Sequence, residues 1–368
     1  MGPLTSVGRR LVCDDADVSL PRTPQTSRAA TIRRRVVSIP GQAVAAVALT
    51  LLLPVVLVLA LLVDLVFLRI RLGTVRLVLL VVAYLWIGVA AQIWSFWIWL
   101  RFGFGRSLWS EAGQQHSNRM IGWWIDSMLG ALRVVGFRIE WEGDQEMPPG
   151  PIAMLSRHES LADVYVPTKF ILRQDRRIRV VLAAGLRGEP ALDVVGHRTP
   201  QFFVRREGSD MRKEVEGIRR MTEHHDDTTG FCIFPEGGLA RRSRRERVLA
   251  KLDETRPDLA ARARRLRHLL PPRPPGAAAI LEGAPTASAV FIAHVGLDTL
   301  TDPETVWRSM PMRQPIEVRS WVHPPATIPT DPAEREAWLF DQWQVMDDWI
   351  EARRAARGEL DAVTAVPR

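Results

Sequence analysis

The chain has 368 residues, with 49 Lys and Arg against 41 Asp and Glu, a formal net charge of +8. Its 47% hydrophobic and 24% charged content excludes a wholly disordered or collagen-like chain. Two distant cysteines, Cys13 and Cys232, exclude a disulfide framework and a thiolate zinc site, and point to a reducing compartment. Only Lys169, Lys213 and Lys251 are lysines, so nearly all the cations are Arg. Residues 1–35 carry Arg9, Arg10, Arg22, Arg28 and Arg33–Arg35 against Asp14, Asp15 and Asp17. They lack hydrophobic periodicity and read as a disordered basic tail, which either favours anionic headgroups or simply sets orientation.

Residues 36–63 and 77–100 contain no charge. A hydrocarbon core of about 30 Å needs roughly 20 apolar residues in a helix, and both runs reach that length. Residues 36–100 therefore read as a transmembrane helical hairpin, with Pro54 a tolerated kink. Trp94, Trp97 and Trp99 gather at one end of the second run, as in an interfacial belt. A cleaved signal peptide fits poorly, because a polar, Arg-containing stretch precedes the first run and a second run follows. Two buried soluble helices are the other alternative. Arg33–Arg35 and Arg101 with Arg106 place both ends on the cytoplasmic side of the inner membrane. Arg69, Arg71 and Arg76 in the connector argue the other way, or for a hairpin that dips into one leaflet.

From residue 101 the pattern changes to short apolar strands alternating with helical stripes, which predicts an α/β domain over 101–355. Helices are expected around 120–132, 161–172, 210–224 and 333–354. Strands are expected at 137–141, 152–155, 178–183, 201–204, 230–234, 289–295 and 316–322. The expected architecture is a mixed sheet flanked by helices, with a flexible tail over 356–368. A basic insert spans 239–275: its segment 241–267 holds eleven Arg or Lys against four acids, and a proline-rich stretch follows. It reads equally as an exposed basic helix or as a membrane or anion contact, and a nucleic-acid role ranks low without a fold signature.

Three places carry chemistry. His158 follows the strand at 152–155, and Asp163 lies five residues on. Residues five apart on one helix are about 140° out of phase, so the pair can meet only if His158 sits in the turn before a helix capped by Ser160. Asp163 would then steady one ring nitrogen and leave the other as a general base. The same Ser160-x-x-Asp163 spacing also matches a capping box, in which Asp163 serves only the backbone. Glu236 and Gly237 end the strand at 230–234: Glu236 could accept from a substrate hydroxyl and Gly237 could let amides approach an anion, or the segment is an ordinary turn. Arg205 and Arg206 end the strand at 201–204, where guanidiniums suit a phosphate; the alternative is surface pairing with Glu207 or Asp210.

His-x4-Asp after a strand, then Phe203-x-x-Arg206, then Phe234-Pro235-Glu236-Gly237, in this order behind a membrane anchor, resembles the glycerolipid acyltransferase family. Leu186-x-x-x-Pro190 with Gly196, the Pro272–Gly276 stretch and the strand Thr286–Val295 are further similarities, the second of them to the lysocardiolipin-type branch. The resemblance implies a glycerol-phosphate-acyltransferase-like fold and transfer of a fatty acyl group from acyl-CoA or acyl carrier protein to a lysophospholipid, 1-acylglycerol-3-phosphate first, to give phosphatidic acid. It implies His158 as base, Asp163 as its orienting acid, and Arg205, Arg206, Glu236, Gly237 and Arg273 around the acceptor. It implies no metal and no cofactor beyond the acyl co-substrate; membrane lipids are the expected partners and nucleic acid is not. Another lyso-lipid or glycolipid acceptor is the alternative, and a membrane-anchored anion-binding protein a weaker one. The family's usual Asn before the His is Arg157 here, and Gly238 with Leu239 replaces the usual Thr-Arg.

Overall fold

A computed structural model describes residues 27–359, except 144, 145, 147, 174 and 206–209. Most of the N-terminal tail, the end of the C-terminal tail (360–368) and Arg206 therefore lie outside the described residues. The chain opens with α1 (Arg28–Val66) and α2 (Gly73–Arg101). Here the expected boundary at residue 35 moves: Ser27 caps α1, its Oγ accepting from the Ala30 N–H at 3.2 Å, so the Arg33–Arg35 cluster is helical. A good cap and Arg-rich, helix-favouring residues extend the apolar helix backwards.

Both helices are long and apolar enough to cross a membrane. They are not two core helices of a soluble protein, because Leu51, Leu62, Val66 and Ile93 stand at least half exposed in a wide apolar face. The buried seam between them uses small residues, Ala46, Ala60, Gly88 and Ala91. Both ends of the hairpin are bonded to the domain that follows. Arg34 and Arg35 pair with the fully buried Asp193 at 2.5 and 2.7 Å. At the connector, Arg69 donates to the carbonyls of Trp307 and Met310 at 2.5 and 2.6 Å, and Arg76 to that of Val134 at 2.8 Å.

The domain proper adds α3 (Glu111–Leu132), β1 (Ile139–Gly143), β2 (Ile152–Ser156), α4 (Tyr165–Leu172), β3 (Arg177–Ala183), α5 (Pro190–Gly196), β4 (Phe202–Val204), α6 (Met211–Met221) and β5 (Thr229–Ile233). It continues through α7 (Arg242–Thr255), α8 (Pro257–Arg265), α9 (Pro274–Gly283), β6 (Ser288–Val295), α10 (Pro303–Ser309), β7 (Ile316–His323) and α11 (Pro332–Ala356). The seven strands form one sheet in the order β1-β7-β6-β2-β5-β3-β4. Only β6 and β7 pair antiparallel, so the sheet is mixed and flanked by helices, as expected. β2, β5 and β6 are buried along their whole length, which explains their unbroken apolar runs.

One core lies between the sheet and α2 to α5, the other between the sheet and α6, α9 and α11. Close approach in the first needs small residues. A side chain at Gly230 of β5 would stand 2.5 Å from Ile171 of α4, and one at Gly196 would stand 2.5 Å from the Phe203 ring. The proline-rich stretch starts a helix. Pro274 stands in the first turn of α9, where a missing N–H costs nothing.

The basic insert lies against α11, on the sheet face opposite the apolar hairpin. Its cations are largely used within the fold. Arg256 pairs with Asp258 and Glu336, Arg262 with Asp341, Arg264 with Asp253, and Arg267 with Glu351. Arg245 donates to the Leu266 and Leu269 carbonyls. The segment forms two helices, α7 and α8, whose paired cations stay largely solvated.

Candidate active site

Because β2, β3, β4, β5 and β6 run parallel, their carboxyl ends open onto one edge of the sheet. That edge is where α/β sheets place ligands. His158 stands two residues past β2, at its centre. The Arg157 N–H donates to the Ile292 carbonyl of β6 at 3.1 Å, carrying the ladder one residue beyond the strand. The chain then turns into a short 3-10 helix over Leu161–Val164 capped by Ser160.

Asp163 both caps the turn and faces His158. Its carboxylate completes the capping box, accepting from Ser160 N at 2.8 Å, while Ser160 Oγ donates to Oδ1 at 2.7 Å. The Glu159 N–H also donates to Oδ2. The same Oδ2 lies 3.3 Å from Nδ1 of His158. Asp163 is fully buried, whereas the His158 side chain keeps 14% of its surface open. Burial pushes the Asp163 carboxyl up, but the two imidazoles facing it and the Ser160 amide outweigh this and hold it below the ordinary range. The His158 ring also packs on Phe234, centroids 4.5 Å apart. The arrangement is a fixed carboxylate behind a partly open imidazole.

Glu236 has a different role from the expected acceptor contact. It is 1% exposed, and its two oxygens accept from backbone amides, His158 N at 2.9 Å and Leu270 N at 3.3 Å. Burial pushes its carboxyl up to about 8. It holds the loop that carries His158 and is closed to a substrate hydroxyl. Gly237 is likewise no amide donor to an anion, since its N–H donates to the Phe234 carbonyl at 3.0 Å. Its φ of +67° makes the turn, and Arg273 lies over it, where a Cβ would stand 3.0 Å from the Arg273 Cδ. The Ala240 N–H reaches the His158 carbonyl at 2.9 Å, so Gly237 and Arg273 belong to the His158 neighbourhood.

Arg205 is exposed at the end of β4, its N–H donating to Glu214 at 3.3 Å. β4 is three strand spacings from β2, about 14 Å across the same edge. Among the predicted residues the structure thus gathers His158, Asp163, Glu236, Gly237 and Arg273, and sets Arg205 apart.

The residues that brace this loop were not anticipated. Arg157 is fully buried, its guanidinium donating to the His294 carbonyl and standing 3.1 Å from Glu159. Glu159 also takes Arg354 of α11 at 3.1 Å. Asp347 of α11 accepts from the amides of Arg267, His268 and Leu269, at 2.7, 2.8 and 2.8 Å, and so fixes the loop whose next residue reaches Glu236. The sequence does carry a signal: Asp347 and Arg354 interrupt the apolar stripe of Trp343, Met346 and Ile350 at helical spacing. His294 is likewise the one polar side chain between Ala289 and Val295. Among the described residues no cluster of three or more His, Cys, Asp or Glu could hold a metal ion.

Residues 138–280 match the family model described as Acyltransferase. The chain carries an acyltransferase domain. It is an acyltransferase enzyme. The match runs from the start of β1 into α9 and contains every predicted site residue. β6, β7 and α11 of the acyltransferase fold, with His294, Asp347 and Arg354, lie beyond it. No curated protein matches the chain. Among solved structures, the crystal structure of the 1-acyl-sn-glycerophosphate (LPA) acyltransferase PlsC from Thermotoga maritima is similar. It is 13% identical with a TM-score of 0.48, over 76% of this chain and 98% of that one.

Proposed function

We propose that this acyltransferase moves a fatty acyl group from acyl-CoA or acyl carrier protein to the free hydroxyl of a lysophospholipid, 1-acylglycerol-3-phosphate first among acceptors. The observation that carries the reading is Nδ1 of His158 set 3.3 Å from Oδ2 of a fully buried Asp163, with the ring still open at the strand-end edge. In this reading Nε2 of His158 takes the acceptor hydroxyl proton. The oxygen bonds to the thioester carbonyl carbon, the carbon–sulfur bond breaks, and the thiolate leaves with the proton returned from His158. Asp163 stabilises the imidazolium between those two transfers. No metal or cofactor enters a step. Arg273, Arg205 and Arg206 supply cations for the acceptor phosphate and the donor's phosphates.

We place the enzyme at the inner membrane with the catalytic domain on the cytoplasmic side. The exposed apolar face of the hairpin supports membrane residence, and Arg101 and Arg106 support the orientation. The connector's bonds to the domain favour a hairpin that lies in one leaflet beside it, since a spanning hairpin would carry the connector about 30 Å away. Both lipid substrates then reach the site from the same leaflet.

The enzyme in lipid vesicles, given labelled acyl-CoA and lysophosphatidic acid, tests the reading. His158→Ala is expected to cut incorporation by about 10²-fold or more. Equal incorporation by wild type and variant would remove it. A different acceptor is the second reading. Gly238 replaces the family's usual Thr, and the Arg244 guanidinium sits 2.6 Å from where a Cβ would stand. A panel of lysocardiolipin, glycolipid and amino-lipid acceptors against lysophosphatidic acid decides between the two.

A further inference from the structure

His294 is the penultimate residue of β6, a strand buried from end to end and paired with β2. Its side chain is fully buried, and neither ring nitrogen makes a hydrogen bond of ordinary geometry, the Arg157 backbone being a polar group beside the ring. A buried imidazole so poorly satisfied is costly, and an apolar side chain would pack there without that cost. Its Nε2 lies 3.5 Å from Oδ1 of Asp163. Asp163 therefore stands between two imidazoles, with Oδ2 toward His158 and Oδ1 toward Ser160 Oγ and His294.

We propose that His294 is a positioning residue: a neutral imidazole that fixes the Asp163 carboxylate so that Oδ2 stays on Nδ1 of His158 throughout the proton transfers. The proposal rests on the acyl-transfer reading above. The charged and titratable groups facing the ring are Asp163 from the 3-10 turn, and Arg157 and His158 from the loop after β2. Burial pushes the His294 ring down to about 3, so it brings no charge to the site at neutral pH. That matters, because a second cation there would cancel the carboxylate's attraction for the His158 imidazolium. A neutral N–H steadies the carboxylate and leaves its charge to His158. The 3.5 Å separation is in the range that tightens when substrate arrives.

The full-length enzyme in vesicles is assayed as wild type, His294→Ala, His294→Phe and His294→Gln. The Gln amide can present an N–H close to where Nε2 stands. His294→Ala and His294→Phe are expected to lower kcat by about 10- to 100-fold, with KM for both substrates within about twofold. The acid limb of the pH–rate profile moves to lower pH, because a loose carboxylate supports the imidazolium less well. His294→Gln regains at least about tenfold in kcat and restores the limb. A second readout needs no substrate: carbethoxylation of His158 by diethyl pyrocarbonate, followed by mass spectrometry across pH. Its midpoint shifts with the limb in His294→Ala and returns in His294→Gln. Unchanged kcat and labelling in folded His294→Ala, or a Gln variant no better than Ala in both, overturns the proposal. Should wild type transfer no acyl group while the labelling midpoint still shifts, the acyl-transfer reading fails and the positioning of His158 through Asp163 stands.

Discussion

The loop at 156–163 and the insert at 241–267 are both dense in charge, and the fold treats them in opposite ways. In the loop, Arg157, Glu159 and Asp163 are buried, and each is matched to a named partner from β6, α11 or the loop itself. In the insert, Arg256, Arg262, Arg264 and Arg267 pair along a solvated surface. Exposed pairs contribute about 0–1 kcal/mol, whereas a buried charge that loses its partner costs several. The shorter and less conspicuous charged segment is therefore the one the molecule depends on.

Substitutions on each side sharpen that contrast, and Arg354→Ala tests it hardest. It strips a buried partner from Glu159, with an expected loss of about 3 kcal/mol in stability. Activity falls with it, since Glu159 adjoins His158; an unchanged melting temperature would erase the distinction between the two regions. Glu236 comes next, through pH. Its carboxyl is raised to about 8 in the fold against an ordinary 4.5, so the folded state holds the proton between those values. Stability is then fully present below about 4.5 and is lost as pH rises through about 8. Melting curves from pH 5 to 9 should show this decline in wild type and a flatter profile in Glu236→Gln. Gly237→Ala follows, at about 1–2 kcal/mol, from a left-handed φ and the 3.0 Å contact with Arg273. Last, Arg262→Ala or Arg264→Ala should leave the melting temperature within about 2 °C. A large effect from either would give the insert a structural weight its exposure does not predict.

Much of this was legible in the order of residues. The His158 turn, the strand ahead of it and the Ser160 cap follow from local rules that the fold obeys, and β2, β5 and β6 announce themselves by uninterrupted apolar runs. The role of Glu236 was not legible. A carboxylate at a strand end followed by two Gly looks open, and only the packing of Leu270 and His158 around it closes it. Arg34 and Arg35 were misleading in the same way. Beside an apolar run they read as headgroup contacts or as setting orientation, and Asp193, some 160 residues on, takes them both.

The linear order of residues determined the seven strands, the helices α3, α4, α6 and α11, the apolar hairpin and the five-residue spacing from His158 to Asp163, because periodicity, capping and turn chemistry act over a few residues. Only the tertiary structure decided that Asp163 faces a second imidazole, that α11 braces the loop, and that the basic helices lie away from the hairpin. Those relations join β2 to strands and helices more than a hundred residues away. Which of the chain's many charges are buried depends on that long-range packing, and burial is what turns a charge into a constraint.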